Sequence, residues 1–567
     1  MDDVDAVQAQ IARNMLHSGD WVSAQLNGVR YLEKSPLKYW SMAVSMAVFG
    51  EHDWAARIPL MLCTILLCWL VARMARWAMG PQAGLYAGLS LATSLGLWLF
   101  TRILIPDAML TLTIAFAMWA FLRALDPAEP AATRRWWPLG AWASIAVGLL
   151  LKGLIAAVFP LGTAFLYLLC TGQWRSRDTW RSLRILPGVA LLLCIAAPWH
   201  ILATLRNPPY FDFTMHSESG SYRGFFWFYF FNEHILRFLN LRYPRDYDTV
   251  PRYLFWLFHL AWFFPFSPFF VRAAGLSYWQ QPYGHQDRAS RMRLLALCWI
   301  GMVMGFFLFS TTQEYYSMPA YPAFAILLGS AMAESGPKAW KWCIRSTGAV
   351  AAVAFVVIVG LLLASWGIPA PGDISQALTQ NPGAYTLSLG HMGDLTIKSF
   401  AYLRLPLAIA GAAMLAGAVG AFALRGCRAA LSLAFMMVLF FQAARVALIA
   451  FDPYLGSYPL AQALNHAPQG ELILYDPYYE MSGLFFYTNK SALILNGRKN
   501  NLEYGSYAPD APQVFIADAG FVERWKSSQR WYVATENEKR QHLFDLVGAE
   551  TLHQVATSGG KTIYVNR

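Results

Sequence analysis

The feature that most constrains this chain is a series of apolar runs, each about as long as a membrane is thick. A helix needs about 20 apolar residues to cross the hydrocarbon layer, and the sequence holds roughly twelve such runs. They are centred near Leu67, Leu91, Phe116, Ile145, Leu161, Leu192, Phe263, Met302, Ile326, Phe355, Ala412 and Met437. With 57% hydrophobic and only 14% charged residues, the chain holds more apolar side chains than a soluble core needs. We therefore predict a polytopic α-helical protein embedded in a lipid bilayer.

The charge of the loops predicts their orientation. Alternate loops carry most of the arginines and lysines, beginning with Arg73 after the first run and ending with Arg425 before the last. Because cytoplasmic loops are enriched in Lys and Arg, these loops are predicted to be cytoplasmic, and the long loops near 205–250 and 367–401 external. The net charge of +11 is then mostly an orientation signal. Spread over several loops and forming no basic stripe, these cations argue against a nucleic-acid partner.

The predicted orientation divides the chain into three parts. Residues 1–55 form an external loop with interfacial helices that belongs to the functional site, residues 56–451 form the transmembrane part, and residues 452–567 form a small external α/β domain. Residues 1–55 contain no apolar stretch that could carry them across a membrane. We therefore expect a further spanning helix ahead of Met1, which would give thirteen spans in the full form.

Helix and strand signals are clear in the two external parts. The segment Asp2–Ser18 is amphipathic and is followed by Gly19, so we predict a short helix along the membrane interface. An extended segment with a turn at Asn27-Gly28 follows, and a second helix begins near Pro36. After Gly470, helical stretches alternate with strand-like runs, which indicates an α/β domain. The predicted strands are Glu471–Tyr475, Ala492–Leu495, Gln513–Ile516, Arg530–Val533 and Lys561–Val565.

Unusual polar clusters recur in the loops assigned to the external face. They are Asp2/Asp3/Asp5, Glu33-Lys34, Arg102 to Asp107, Glu233-His234 to Arg237, and Gln313-Glu314-Tyr315-Tyr316. Ionisable groups so near hydrocarbon are costly unless they are partnered, and their shared face predicts one site assembled at the membrane surface. The sequence has no glycine-rich phosphate loop, nucleophile elbow or metalloprotease histidine pair, which leaves soluble NTPase, hydrolase and protease classes without support.

These clusters carry a resemblance to the family-39 glycosyltransferases of the GT-C fold. It rests on the segments DDVDAVQAQIARNMLHSGDWV, NGVRYLEKSPLKYW, TRILIPDAMLTL and FWFYFFNEHILRFLN. The family includes the bacterial aminoarabinose transferase of lipid A and, more distantly, the protein O-mannosyltransferases. The resemblance implies a GT-C fold with a periplasmic C-terminal domain in a bacterial inner membrane. It also implies inverting transfer of a sugar from a polyprenyl-phosphate donor to a lipid, glycan or protein acceptor associated with the membrane.

The resemblance also implies roles for individual residues. Asp2 and Asp3 correspond best to the family's acidic pair and suit a base for the acceptor hydroxyl, with Asp5 as the alternative in an ungapped alignment. Asp107 corresponds to an aspartate of the active cavity, and Arg102 could balance its charge. The structural alternatives are a solvated cap at the N-terminus for the first acids and a helix N-cap for Asp107.

Further roles concern the donor and a metal ion. Lys34, Arg102 and Arg237 are expected to contact the donor phosphate. Glu33 and His234 resemble the family's metal ligands, so a divalent ion, Zn²⁺ or similar, is an expected cofactor. The alternatives are an exposed ion pair for Glu33-Lys34, packing at the interface for His234, and a cation–π contact for Arg237.

The segment around residues 313–316 differs from the aminoarabinose transferases, which carry a lysine-leucine stretch there. The donor sugar and the acceptor therefore stay open. Tyr31, Glu314, Tyr315 and Tyr316 are expected to shape the substrate pocket, and an interfacial aromatic belt is the alternative for the two adjacent tyrosines. Two other classes remain: a transporter or flippase of a lipid-linked substrate, which would need midplane charges and repeated broken helices, and a catalytically inactive scaffold.

The predicted orientation can be tested with a reporter enzyme that is active only outside the cytoplasm. Fused after Asp452, the reporter should be active, because that position follows the last apolar run on the external side. A matched fusion after Arg425, in a predicted cytoplasmic loop, should be inactive. The opposite pattern would overturn both the orientation and the gathering of the polar clusters on one face.

Overall fold

A computed structural model describes residues 1–244, 250–278, 287–379 and 393–567. Most of the described chain is helical. The α-helices are α1 (Asp3–Ser18), α2 (Leu37–Phe49), α3 (Asp53–Met79), α4 (Pro81–Ala92), α5 (Leu95–Thr101), α6 (Asp107–Ala124), α7 (Ala131–Arg134), α8 (Trp137–Lys152), α9 (Ile155–Thr171), α10 (Arg177–Ser182), α11 (Ile185–Arg206), α12 (Gly224–Phe226), α13 (Arg252–Trp262), α14 (Phe270–Ala273), α15 (Arg288–Phe309), α16 (Tyr321–Glu334), α17 (Pro337–Ser365), α18 (Arg404–Ala423), α19 (Cys427–Leu455), α20 (Tyr458–His466), α21 (Ser482–Thr488), α22 (Asn501–Ser506), α23 (Asp518–Trp525) and α24 (Arg540–Val547). A π-helix spans Trp227–Leu236 and a 3-10 helix spans Glu314–Ala320.

The long apolar helices form a bundle. Within the described ranges, 7 helices are long and apolar enough to cross a membrane, or up to 9 if each of two bent pairs is one span. All predicted centres except Phe263 lie within helices. The run at Phe263 is not a straight span: it is divided between α13 and a segment beginning at Ser267, which are bent by 110°. Pro265 and Pro268 explain the break, since proline removes a backbone donor and clashes with the preceding turn.

The N-terminal segment has the predicted elements in a different setting. Helix α1, the two short strands β1 (Gln25–Leu26) and β2 (Val29–Arg30) around Asn27-Gly28, and helix α2 confirm the sequence-based assignments. The position of α1 relative to the membrane stays a prediction. Nearly every residue from Asp3 to Met15 is buried, because α1 packs against α2 on one side and against the C-terminal α21 on another.

The C-terminal part contains one mixed sheet. The strands are β3 (Glu471–Tyr475), β4 (Leu493–Leu495), β5 (Phe515–Ile516), β6 (Trp531–Glu536), β7 (His553–Ser558) and β8 (Lys561–Val565). Their order is β5-β4-β3-β6-β8-β7. The first four strands are parallel, β8 runs antiparallel to β6, and β7 runs antiparallel to β8. The predicted strands are confirmed, whereas β7 and α22 were not predicted. The divisions after residues 55 and 451 stay predictions.

Asp3 connects the start of the chain to this sheet. Its carboxylate accepts hydrogen bonds from Gly483 N at 2.6 Å and Ser457 Oγ at 3.0 Å, and lies 2.6 Å from Lys561 Nζ on β8. Burial raises the pKa of Asp3, while Lys561 and the two hydrogen bonds lower it. These contacts join residues more than 450 positions apart, so Asp3 fastens α1 to the α/β domain.

The variant Asp3→Asn should loosen this attachment. The amide NH2 would face one of three donors. The buried Lys561 would lose the carboxylate that it contacts at 2.6 Å and keep its electrostatic interaction with Glu536, which we expect to cost about 3 kcal/mol. We expect limited proteolysis next to the α/β domain to accelerate by about 100-fold or more. The double variant Asp3→Asn/Lys561→Met should recover part of the loss.

The matched control is Asp178→Asn, because Asp178 and Arg181 form an ion pair whose side chains are 90% and 80% exposed. That variant should be cleaved at the wild-type rate. Equal cleavage of wild-type protein and Asp3→Asn would show that Asp3 does not hold the domain.

Candidate active site

The first part of the site lies where α1 meets the loop before α6. The Asp5 carboxylate pairs with Arg57 and accepts a hydrogen bond from Leu104 N at 2.7 Å. Burial and the neighbouring Asp2 raise the pKa of Asp5, and Arg57 lowers it. Asp2 caps α1 by accepting from Asp5 N at 3.0 Å, and its other oxygen lies 3.9 Å from Arg102 Nη1. Two carboxylates and two guanidinium groups therefore meet at the N-terminus of α1.

A buried lysine adjoins this cluster. Lys38, on α2, is 4% exposed, and its ammonium group donates to Gln8 Oε1 at 2.5 Å and to Leu104 O at 3.2 Å. Burial lowers the pKa of Lys38 to about 7, with a smaller contribution from the positive charge of Lys34. Leu104 thus contacts Asp5 through its N–H and Lys38 through its carbonyl.

A second ion pair lies at the ends of two helices of the bundle. Asp107 Oδ1, in the first turn of α6, pairs with Lys152 Nζ at the end of α8. Asp107 is 1% exposed, and within the described residues its Oδ2 has no hydrogen-bond partner. The rings of Tyr315 and Tyr316 lie 5.4 and 5.2 Å from Lys152 Nζ, close enough for cation–π contact. The predicted pocket tyrosines are therefore next to Asp107, and the buried Glu314 directly precedes them.

Two glutamates share one arginine in the third part of the site. Arg242 Nη2 donates to Glu33 Oε1 at 2.7 Å, and Arg242 Nε donates to Glu233 Oε1. Lys34 Nζ lies 3.3 Å from Glu33 Oε2 and 4.0 Å from Glu233 Oε2. Arg237 Nη1 donates to Glu233 Oε2 at 2.7 Å. Although burial raises the pKa of Glu233, these three cations hold it below its ordinary value.

Aromatic hydroxyls connect this part to its surroundings. Arg237 Nη2 donates to Tyr316 OH at 3.2 Å, which links the glutamates to the Asp107 pair. Tyr31 OH donates to Glu33 Oε2 at 3.2 Å and accepts from Tyr479 OH at 3.3 Å. Since Tyr479 belongs to the α/β domain, Tyr31 positions Glu33 against that domain.

His234 is placed differently from the metal-ligand prediction. Its Nδ1 hydrogen-bonds Tyr229 O at 2.5 Å, and its Nε2 accepts from Leu154 N at 3.1 Å. Burial lowers the pKa of His234, which favours the neutral ring that this pattern requires. A Cβ at Gly153 would collide with Nε2, so the break between α8 and α9 fits around the imidazole. Because neither nitrogen keeps a free lone pair, the residues present do not form the expected metal site with Glu33.

The predicted residues are largely gathered into one site. One series of contacts runs from Arg102 and Asp2 through Asp5 and Leu104 to Lys38. A second runs from Asp107 through Lys152, Tyr316 and Arg237 to Glu233, Arg242 and Glu33. The electrostatic interaction of Lys38 with Asp107 joins the two. Asp3 lies outside both series, since its carboxylate faces the α/β domain. The structure thus separates the Asp3 carboxylate from that of Asp2, and the catalytic role expected of Asp3 stays a prediction.

Four cations of the site were not predicted. They are Lys38, Arg57, Lys152 and Arg242. Their partners lie 45 or more residues away in most cases, and although Lys38 lies within the segment NGVRYLEKSPLKYW, nothing in that segment shows which residues it contacts. One available signal was the charge of Lys152 at the end of an apolar run, where an unpaired cation is costly. The π-helix carrying Glu233 and His234 is another mark of a functional segment, although only the structure shows it.

Comparisons with known proteins show which proteins this chain is similar to. A family model described as dolichyl-phosphate-mannose-protein mannosyltransferase matches residues 33–202. The undecaprenyl phosphate-alpha-4-amino-4-deoxy-L-arabinose arabinosyl transferase of Pseudomonas paraeruginosa is 30% identical over 352 residues, covering 60% of this chain and 57% of that protein. The protein of the same name from Pseudomonas aeruginosa PAO1 is 30% identical over 338 residues, covering 58% and 54%. The chain thus spans little more than half the length of the curated relatives it matches.

Solved structures give the fold. The crystal structure of ArnT from Cupriavidus metallidurans bound to undecaprenyl phosphate matches with a TM-score of 0.79 at 24% identity, covering 100% of this chain and 93% of that chain. The chain is therefore a multi-pass membrane protein with the GT-C fold and a small C-terminal α/β domain, as predicted. This shared fold is the one that the resemblance drawn from the sequence segments implied.

The pKa of Lys38 provides a direct test of the site's electrostatics. Since burial lowers this pKa from 10.5 to about 7, the ammonium should lose its charge above neutral pH. Below pH 7 the buried charge lowers the free energy of unfolding by its full amount. This destabilisation should disappear as the pH rises toward 10.5. The measurement is a pH titration of ¹³C-methylated lysines by NMR, with Lys38→Arg identifying the signal.

Two variants should move the midpoint in opposite directions. Lys34→Gln removes a nearby cation and should raise the pKa of Lys38, whereas Asp5→Asn removes a nearby anion and should lower it. An ordinary midpoint near 10.5 in the unmodified site would contradict the burial of Lys38.

Proposed function

We propose that this protein is a glycosyltransferase that moves a sugar from a polyprenyl-phosphate donor to a membrane-associated acceptor. The observation that carries the proposal is the Asp107–Lys152 pair, with a buried carboxylate oxygen left for a ligand in a cation-rich site. The names of the similar curated proteins, which are arabinosyl transferases acting with undecaprenyl phosphate, support the same reaction class.

The reaction needs a group that removes a proton. The acceptor hydroxyl attacks the anomeric carbon, the carbon–oxygen bond to phosphate breaks, and the hydroxyl proton passes to a base. Asp107 is the base we propose, because Oδ2 is unpartnered among the described residues while Oδ1 is held by Lys152. Asp2 is the second candidate, since its side chain is 19% exposed and contacts Arg102 only at 3.9 Å. Asp5 is already occupied by Arg57 and Leu104.

The leaving group needs positive charge. The departing polyprenyl phosphate gains negative charge as the bond breaks, and fixed cations stabilise that change best in a site with little water. Lys34 is the cation we propose for the phosphate, because its side chain is 30% exposed while those of Glu33 and Glu233 are almost fully buried. Arg102 and Arg237 flank the site on its two sides.

In this proposal Glu33 positions neighbouring groups, and no metal ion takes part. Arg242, Lys34 and Tyr31 surround Glu33, so its carboxylate holds these groups in position. Both ring nitrogens of His234 are already hydrogen-bonded, so His234 cannot bind a metal ion and the proposed reaction does not use one. Glu314, Tyr315 and Tyr316 are proposed to contact the sugar, since the two rings stand beside Lys152.

We further propose that the site faces the periplasm from the bacterial inner membrane. The positive charge of the opposite loops supports this orientation. A polyprenyl-linked donor suits such a compartment, because the lipid anchor keeps the activated sugar in the membrane. The donor's polyprenyl phosphate is the part that the cations recognise, and residues 313–316 are where the sugar would be distinguished.

Sugar transfer by purified full-length protein tests the proposal. With a polyprenyl-phosphate-linked sugar and membrane lipid acceptors, Asp107→Asn should lower turnover by at least about 100-fold, as is typical for a lost general base. Lys34→Ala should reduce kcat/KM, because the phosphate contact exists in both the ground state and the transition state.

The matched control is Asp126→Asn. Asp126 is also buried and paired, with Arg288 and Arg291, but lies outside the site's series of contacts. It should change stability and leave turnover of the folded fraction near wild type. Full transfer by Asp107→Asn would refute the proposed base. Movement of intact donor across vesicles without any sugar transfer would support a flippase instead.

A further inference from the structure

A polar cleft lies on the opposite side of α1 from the proposed active site. Gln8 of α1 contacts Lys38 in the site, whereas Gln10 lines the cleft. Residues two positions apart in an α-helix are separated by about 200° around the helix axis. Gln8 and Gln10 therefore point to opposite sides of α1. The cleft has a volume of about 470 Å³, within the roughly 300–1,000 Å³ of small-molecule sites.

Three segments of the chain form its walls. They are α1, the turn at Asn27-Gly28, and residues Asn489 to Ser491 of the α/β domain. The turn is fixed to that domain, because Asn27 Nδ2 donates to Ala492 O at 2.9 Å and Ala492 N donates to Asn27 Oδ1 at 3.2 Å. Two hydrogen bonds between the Asn27 side chain and the Ala492 backbone therefore fix this wall of the cleft to the α/β domain.

The lining is rich in amides and hydroxyls. Its amide side chains are Gln10, Asn14, Gln25, Asn27 and Asn489, accompanied by several serines. An amide offers both donors and an acceptor, which is what adjacent hydroxyl groups of a sugar require. Among the described residues that line the cleft there is no carboxylate, and Lys490 adds a positive charge, so the lining suits a neutral or anionic ligand.

One buried oxygen in the cleft lacks a partner. Gln10 is 7% exposed, and its Nε2 donates to Asn14 Oδ1 at 2.9 Å. Among the described residues, Gln10 Oε1 has no hydrogen-bond partner. A buried carbonyl oxygen without a partner is costly, and a rotation of the Gln10 side chain toward the cleft would let a ligand hydroxyl satisfy it.

We propose that this cleft is a second binding site, which takes a neutral or anionic saccharide. It goes beyond the proposed transfer reaction and does not depend on it. The saccharide hydroxyls donate to Gln10 Oε1 and exchange hydrogen bonds with the surrounding amides, while Lys490 favours glycans that carry acidic groups.

The test is glycan binding by the full chain in lipid nanodiscs, which avoid detergents with sugar headgroups. Labelled protein is applied to an array of bacterial surface glycans, and affinities for retained glycans are measured by titration. Wild-type protein should retain glycans. Ser491→Trp should abolish retention, because Ser491 is exposed at the cleft and the indole would fill it. Gln10→Ala should weaken binding roughly five- to tenfold, as expected for one lost hydrogen bond.

The control is Ser528→Trp, an equally exposed serine of the α/β domain outside the cleft, which should bind like wild type. The proposal fails if wild-type protein retains no glycan, or if Ser491→Trp retains the same glycans with unchanged affinity. Binding by protein that performs no transfer would still support the cleft, so the two proposals are tested separately.

Discussion

The burial of α1 on two sides is the constraint on which the external half of the molecule depends. Ala6, Ala9 and Ala12 pack into the core of the membrane bundle, whereas Val7 and Ile11 pack into the core of the α/β domain. Small residues allow helices to approach closely inside a membrane protein, and branched residues fill the wider space beneath a sheet. One helix thereby belongs to two cores, and neither core is complete without it.

The polar residues of α1 follow the same division. Asp5 is directed to Arg57 and Asp3 to Lys561, although only one residue separates them. Each buried carboxylate has its own cation, so a shift of α1 would break two ion pairs at once. The active-site cluster is therefore positioned by the same contacts that fasten the α/β domain.

Local features could be predicted from the sequence, and long-range partners could not. Apolar runs predicted the helices correctly because length and composition are local properties. The prediction of a straight helix at Phe263 was wrong because two prolines interrupt that run. The amphipathic pattern gave α1 but not its burial, since periodicity identifies an apolar face without naming what covers it. Asp3 was assigned to the site by its resemblance to the family's acidic pair, and its partner Lys561 could not be predicted because it lies 558 residues away. Arg242 was missed for the same reason, since Glu33 is 209 residues distant.

The distance between Asp3 and Lys561 along the chain has a consequence for biosynthesis. At about 5–20 residues per second, the 558 residues between them take roughly 30–110 seconds to translate. During that interval α1 has emerged while the sheet that covers Val7 and Ile11 does not yet exist. The external segment must therefore wait, exposed and without its buried counter-charge, until the last strand is made.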